Sequence, residues 1–278
     1  MRWLSYVLKL IFIFQAADGI RFRGVTRVQL VLFRSFGVIS GMPETADTLA
    51  REYDVTREEA DAFAVLSHRK AAAAWNEGRF DEEVVAVEVP GKKAEKTVLS
   101  RDEGIREDSS IESLAGLRPL REGGVSTAGN SSQQNDAAAA CLVVSGEFAD
   151  RHGLEPLARL VGWQAAGVDP ARMGIGPVSA TQKLLQRTGL NLDDIDLIEL
   201  NEAFAAQALA VLKAWKLDDY ERVNVNGSGI SLGHPIGATG VRIMTTLLHE
   251  MRRRKSRYGL ETMCIGGGMG ISAVFERI

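Results

Sequence analysis

Residues 201–270 constrain this chain more than any other stretch, because they hold three short motifs in a fixed order. Asn201-Glu202-Ala203-Phe204 comes first. Asn226-Gly227-Ser228-Gly229-Ile230-Ser231-Leu232-Gly233-His234-Pro235-Ile236-Gly237-Ala238 follows, and Cys264-Ile265-Gly266-Gly267-Gly268-Met269-Gly270 closes the set. Each presents one polar or reactive side chain among small residues: an amide, an imidazole and a thiol. Glycine lets backbone N–H groups come close to a ligand and takes φ > 0 without strain. A glycine-flanked thiol therefore points to backbone donors aimed at a developing oxyanion. Nucleotide binding at residues 266–270 is excluded, since no G-x-G-x-x-G follows a strand and opens a helix there.

The elements around those motifs alternate. Thr56-Arg57-Glu58-Glu59 fits a capping box within a helical region over 42–80, alanine-rich through Trp75 and ending near Gly78. Residues 84–89 alternate apolar and acidic side chains, which predicts a strand. Residues 101–121 are polar and turn-rich. From 157 onward, strands are predicted at 157–162, within 192–200, at 223–225, 262–265 and 272–276. Helices are predicted from Ser179 or Thr181 through Thr188, over 203–215 and over 240–254. Such alternation argues for an α/β fold, a layered sheet covered by helices. Arg252-Arg253-Arg254-Lys255 reads as the cationic end of the last helix, where it meets the negative end of the dipole. Cys141, in the apolar run 138–144, reads as a small buried hydrophobe.

Charge narrows the function classes. Lys and Arg total 33 against 36 Asp and Glu, a net charge of 33 − 36 = −3, which disfavours a general nucleic-acid binder. Two cysteines are too few for a disulfide scaffold and fit a reducing, cytoplasmic compartment. No Cys/His pair has the spacing of a zinc site, so no metal is expected. Residues 1–41 stand apart: Arg2, Lys9, Arg21, Arg23, Arg27 and Arg34 face a single acid, Asp18. The apolar run 3–14 is too short to span a membrane and holds Lys9. This segment reads as a non-native start, from truncation, frameshift or a misassigned start codon; a signal peptide ending near Gln15-Ala16-Ala17 is the alternative.

Together the three motifs resemble the C-terminal half of the thiolase family, the acyl-CoA:acyl-CoA C-acyltransferases, and the likeness runs over about 42–278. It implies a thiolase-like layered fold with the C-terminal half complete and the N-terminal half largely missing. The implied organisation is an atypical segment 1–41, a loop and coenzyme A domain 42–134, a remnant of the N-terminal domain 135–156 and a C-terminal domain 157–278. The resemblance implies that His234 activates a nucleophilic cysteine and donates to a thioester oxygen. Cys264 becomes the general acid/base at the α-carbon, Asn201 anchors a water facing an enolate oxygen, and Gly266 offers an oxyanion-hole N–H. Ser126-Thr127-Ala128-Gly129-Asn130-Ser131-Ser132 matches the family's pantetheine segment, so Ser132 and Ala128 are expected at coenzyme A, and Gln133 stands where the family usually has glycine. Met42 and Phe204 resemble acyl-pocket linings. Gly41-Met42-Pro43-Glu44-Thr45-Ala46 looks more like thiolases that cleave 3-oxoadipyl-CoA, whereas some thiolases carry a histidine at the position of Gly41.

The implied activity is Claisen condensation or thiolysis of acetyl-CoA and 3-oxoacyl-CoA, with coenzyme A as substrate and no cofactor. The acyl-accepting cysteine of the family has no counterpart here, so the chain is expected to be inactive by itself. A homo-oligomer is expected of a complete protein, without nucleic-acid or membrane partners. Two other readings compete: a non-catalytic fragment that binds coenzyme A or pairs with a complete subunit, and a lipid carrier of thiolase-like fold. A carrier needs neither His234 nor Cys264.

Overall fold

Thr56 opens a twenty-residue helix with the capping box that its sequence predicts. Its Oγ1 accepts from the Glu59 N–H at 3.1 Å, and Glu59 Oε2 accepts from the Thr56 N–H at 2.8 Å. The computed structural model describes residues 41–90 and 96–278; the predicted atypical segment, apart from Gly41, lies outside the described residues. The first helices of the described residues are α1 (Met42–Glu52) and α2 (Arg57–Asn76), followed by an antiparallel pair, β1 (Val87–Pro90) and β2 (Lys96–Leu99). The strand expected from residue 84 starts later. Backbone N–H groups of Glu83 and Val84 both donate to the Phe80 carbonyl, which holds that part of the chain in a turn. Short helices α3 (Ile111–Ala115) and α4 (Gly146–His152) flank the segment 126–144.

The main sheet has the order β3 (Ala158–Gly167), β6 (Met269–Arg277), β5 (Tyr258–Ile265), β4 (Leu197–Leu200). β6 pairs antiparallel with both β3 and β5, while β4 pairs parallel with β5. Between the strands come α5 (Gly176–Thr188), α6 (Ala205–Trp215), the one-turn α7 (Gly229–Leu232) and α8 (Thr239–Arg254). The predicted strand 223–225 survives as two isolated parallel bridges, Val223 to Ile198 and Val225 to Gly227.

Side-chain alternation along β4 and β5 divides the core. Ile198, Leu200 and Leu260 face Leu184 of α5 and the Ala205, Leu209 and Leu212 side of α6, and Phe63 and Ala64 of α2 pack outside α6. Leu197 and Phe275 face Leu247 and Met251 of α8 on the opposite side. The layers therefore run α8, sheet, α5 with α6, then α2.

Two expectations need correction. α5 begins at Gly176, ahead of Ser179 and Thr181, and neither residue caps it. Thr181 instead places its hydroxyl 2.9 Å from Ser272 Oγ on β6. The early start has a steric cause: a Cβ on Gly270 would lie 2.1 Å from the carbonyl carbon of Gly176, so the helix begins with its backbone directly against the strand. The second concerns Cys141, which is exposed rather than buried. Leu142 is 74% and Val143 65% exposed, and no backbone hydrogen bond is made by residues 137–144 among the described residues. An apolar run is buried only where another layer covers it, and no described layer does so.

The contact at Gly270 separates two glycines of one motif. Gly270→Ala should cost at least about 3 kcal/mol or abolish folding, because only backbone could move aside. Gly266→Ala, where an added Cβ meets nothing within 4 Å, should change the urea midpoint little. Urea melts of both variants against wild type check this.

Candidate active site

Parallel pairing of β4 with β5 sets Leu200 opposite Thr262. Both strands therefore end at the same edge of the sheet, where open α/β folds place their ligands. Asn201 follows β4 directly, and its N–H donates to the Thr262 carbonyl at 3.0 Å. Cys264 is the second-last residue of β5. The chain then crosses through α6 and returns in the glycine-rich segment that carries His234, just ahead of α8.

Asn201 and Glu202 are fully buried and tightly framed. A Cβ on Gly229 would lie 2.7 Å from the Glu202 carbonyl oxygen and 2.9 Å from Asn201 Oδ1, so this position admits only glycine. Glu202 accepts from Ser67 Oγ at 2.6 Å, from Asn224 Nδ2 at 2.8 Å and from the Ile230 N–H at 3.2 Å. Burial raises its carboxyl above the ordinary range, and these three donors pull the other way. The same interactions tie α2, the 222–226 segment and α7 to the end of β4.

His234 is oriented by its neighbour Thr239. Thr239 Oγ1 lies 2.7 Å from Nδ1 of the ring and donates its own proton to the Pro235 carbonyl at 2.9 Å. A hydroxyl has one proton to give, so Nδ1 carries the hydrogen and Nε2 keeps the lone pair. The Asn201 amide nitrogen sits 3.4 Å from Nε2 and 3.5 Å from Nδ1, a loose polar contact aimed at neither nitrogen. Burial, then the Arg242 guanidinium, holds the imidazole down to about 4, so it is neutral at pH 7. The His234 N–H donates to the Gln133 carbonyl at 3.0 Å.

The segment 130–133 lies along the same edge. Ala205 N–H donates to Asn130 O at 2.9 Å and Ser132 N–H to Ala203 O at 3.0 Å, around a bridge between Ser131 and Phe204. Ser132 and Phe204 thereby lie along the 203–205 segment that follows the Asn201-Glu202 step, and both are half-buried. Gln133 adds a tie outward, its Nε2 donating to Gly104 O at 2.8 Å. Ala128 is exposed, Met42 is 41% exposed at the start of α1, and no hydrogen bond links either to Asn201 or His234.

Cys264 reaches the shared edge without a hydrogen bond to Asn201 or His234. Burial, opposed by a hydrogen bond to backbone, pushes its thiol up to about 11, so at neutral pH it is an acid rather than a thiolate. Gly266 begins the turn between β5 and β6 and is exposed.

Behind this edge lies a charged cluster. Glu199 and Glu261 are cross-strand partners on the α8 side of the sheet and are 2% and 8% exposed. Burial drives the Glu199 carboxyl well above its usual range and Glu261 up to about 8. Glu83 accepts from Thr246 Oγ1 of α8 at 3.1 Å and is raised to about 7, again by burial. Facing them is Arg242, whose three side-chain nitrogens are all buried and have no hydrogen-bond partner among the described residues.

Two family models match this chain. That for "Thiolase, N-terminal domain" covers residues 23–147, and that for "Thiolase, C-terminal domain" covers 154–277. Beta-ketothiolase BktB of Cupriavidus necator is 54% identical over 239 residues, 85% of this chain and 60% of that protein. The 3-oxoadipyl-CoA/3-oxo-5,6-dehydrosuberyl-CoA thiolase of Escherichia coli is 47% identical over 253 residues, 90% of this chain and 63% of that protein. The crystal structure of Bacillus anthracis acetyl-CoA acetyltransferase superposes with a TM-score of 0.82 at 48% identity, over 85% of this chain and 60% of that one. Human mitochondrial 3-ketoacyl-CoA thiolase gives a TM-score of 0.82 at 40% identity, over 89% and 63%. The chain belongs to the thiolase family and has the thiolase-like α/β fold. It spans 60–63% of the length of these relatives. Among the described residues, no helix is long and apolar enough to cross a membrane.

Sequence reasoning passed over Thr239, Glu202, Glu199, Glu261 and Arg242. One signal was available: Glu199 interrupts an otherwise apolar four-residue strand, where a lone carboxyl must be neutral or partnered.

Two measurements test this account. Thr239→Val removes the acceptor for Nδ1–H, so imidazole ¹⁵N shifts at pH 7 should move from a single Nδ1–H tautomer toward a mixture. Glu261→Gln tests the buried carboxyls. A carboxyl raised above its unfolded value contributes stability at low pH that is lost as pH rises through about 4.5 to 8. The Glu261→Gln urea midpoint should therefore match wild type near pH 4.5 and exceed it at pH 8.

Proposed function

We propose that this chain supplies the acid–base side of a thiolase reaction, acyl transfer between coenzyme A thioesters by thiolysis of a 3-oxoacyl-CoA or by the reverse Claisen condensation. The observation that carries the reading is a neutral His234 whose ring nitrogens lie 3.4 and 3.5 Å from the Asn201 amide nitrogen, at the edge where Cys264 also ends. The relatives' names point the same way.

In thiolysis a thiolate adds to the 3-keto carbon, and the electron pair of the breaking C–C bond passes into the thioester as an enolate. Asn201 donates without titrating, and its buried Oδ1 has no partner among the described residues, so it suits a water or substrate hydroxyl. Cys264, its thiol held near 11, gives its proton to the α-carbon. The acyl group then passes to coenzyme A, and His234 Nε2 takes the thiol proton of that incoming group. Transfer of this proton to Cys264 restores both residues. Neither cysteine of these 278 residues serves as the acyl acceptor: Cys141 is exposed on a segment without strand partners, and Cys264 is the proton donor. Ser132 and Phe204, both half-buried along this edge, are assigned to the pantetheine and acyl groups in this reading. Two free cysteines suit the reducing cytoplasm.

Exchange of the acetyl-CoA methyl protons with D₂O needs only the acid–base side. The full chain should catalyse it, faster by about tenfold per pH unit toward 11 as the Cys264 thiolate forms. Cys264→Ala and Asn201→Ala should each lower it at least about tenfold. Coenzyme A-dependent loss of acetoacetyl-CoA should stay at the uncatalysed rate. Exchange equal to buffer throughout, or unaffected by Cys264→Ala, would sink the proposal.

A further inference from the structure

Gln133 touches two parts of the structure at once. Its carbonyl accepts from the His234 N–H at 3.0 Å, and its side-chain Nε2 donates to the Gly104 carbonyl at 2.8 Å. The family usually has glycine at this position, and glycine has no side chain to make the second bond. The fit is close. A Cβ on the buried Gly104 would lie 2.8 Å from both Nε2 and Oε1 of Gln133, so the amide packs directly on the loop backbone. Two residues on, the Asn135 amide abuts Gly233, where any Cβ would collide with it. The 133–135 segment is thus set against Gly233-His234 on one side and bonded to the 101–110 loop on the other.

The other hydrogen bonds that hold this loop to the rest of the chain run to α2. Asp102 Oδ2 accepts from Trp75 Nε1 at 3.1 Å, and His68 Nδ1 accepts from the Arg106 N–H at 3.1 Å. Ile105 packs on the cluster of Ala71, Ala74, Phe80 and Leu232. Apolar contact is non-directional, whereas an N–H···O bond weakens steeply away from its preferred angle. Among the described residues, Gln133 alone joins the loop to the His234 segment by a directional bond.

We propose that Gln133 is a positioning residue of this site: its side chain straps the 101–110 loop to the segment whose backbone holds His234, so that loop and His234 open and close together. The proposal deepens the reading of His234 as the base named above and rests on it for its consequence. Its readout is backbone opening and not turnover, so it can fail while that reading stands.

Backbone amide exchange of the full chain, resolved residue by residue by NMR at pH 7, tests the strap. One hydrogen bond of ordinary net strength corresponds to roughly three- to tenfold in a local opening equilibrium. Gln133→Met keeps the length of the side chain and removes the donor. In it the Arg106 and His234 N–H groups should both exchange roughly three- to tenfold faster, while the amides of β5, paired on both sides, do not change. Asp102→Ala releases the loop from Trp75 at its far side. By itself it should speed exchange at His234; added to Gln133→Met it should speed Arg106 further and leave His234 where it was. An unmoved Arg106 or His234 in Gln133→Met overturns the proposal. So does faster exchange of β5 as well, which would mean general loosening. An equal effect of Asp102→Ala on His234 with and without the Gln133 side chain overturns it too, because the link would then run through Ile105 and Leu232. Gln133→Ala is the second variant and should behave as Gln133→Met; failure of both to fold also overturns the proposal, since Gln133 would then be a structural anchor.

Discussion

The side chain of Asn224 holds the site together more than any other single group. Its Oδ1 accepts from the Leu200 N–H, and its Nδ2 donates to the Leu200 carbonyl, both at 2.8 Å. The amide thus completes the outer edge of β4 as a neighbouring strand would, at a strand only four residues long. The same Nδ2 donates to Glu202 Oε1. One side chain therefore fixes the end of β4, the Asn201-Glu202 step that follows and, through Glu202, the start of α7. Asn224 adopts φ 46 to do so, a left-handed conformation that asparagine tolerates better than most residues.

From that anchor the geometry propagates through buried polar groups rather than through a pocket. Ser67 links α2 to Glu202 and to Ser231. Thr262, Ser272 and Thr181 form a chain of hydroxyls that locks β5, β6 and α5 under the glycine turn. Asp47 accepts from the Val125 and Ser126 N–H groups and from the Ser126 hydroxyl, and Asn130 is held by Asp61. These acids of α1 and α2 aim the 126–133 segment at the edge where β4 and β5 end. A buried polar network of this kind is costly when partly unmade, which is why the segment keeps its course although it has little regular structure.

The electrostatic arrangement runs in two directions. His234 and His68 are pushed toward the neutral form, while Glu199, Glu202 and Glu261 are pushed toward the protonated form. Both effects come first from burial, which penalises charge of either sign. The edge of the sheet is therefore poor in mobile charge.

Much of this was legible in the residues. The capping box at Thr56, the alanine-rich helix, the alternation of strands and helices and the three motifs follow from local chemistry, since caps, periodicity and glycine runs act within a few residues. Asn201 and His234 were readable as a pair for the same reason: each stands in its own motif. What lies between the motifs was decided by packing alone. The start of α5 depends on a backbone contact between Gly176 and Gly270, 94 residues apart (270 − 176). The exposure of Cys141 depends on which layer covers residues 138–144, and apolar composition does not specify a partner. The tautomer of His234 depends on where the Thr239 hydroxyl sends its proton, and the neutrality of the imidazole depends first on its burial and then on the Arg242 guanidinium. Side-chain type sets what each group can do; only the tertiary fold sets the burial and neighbours that choose its charge.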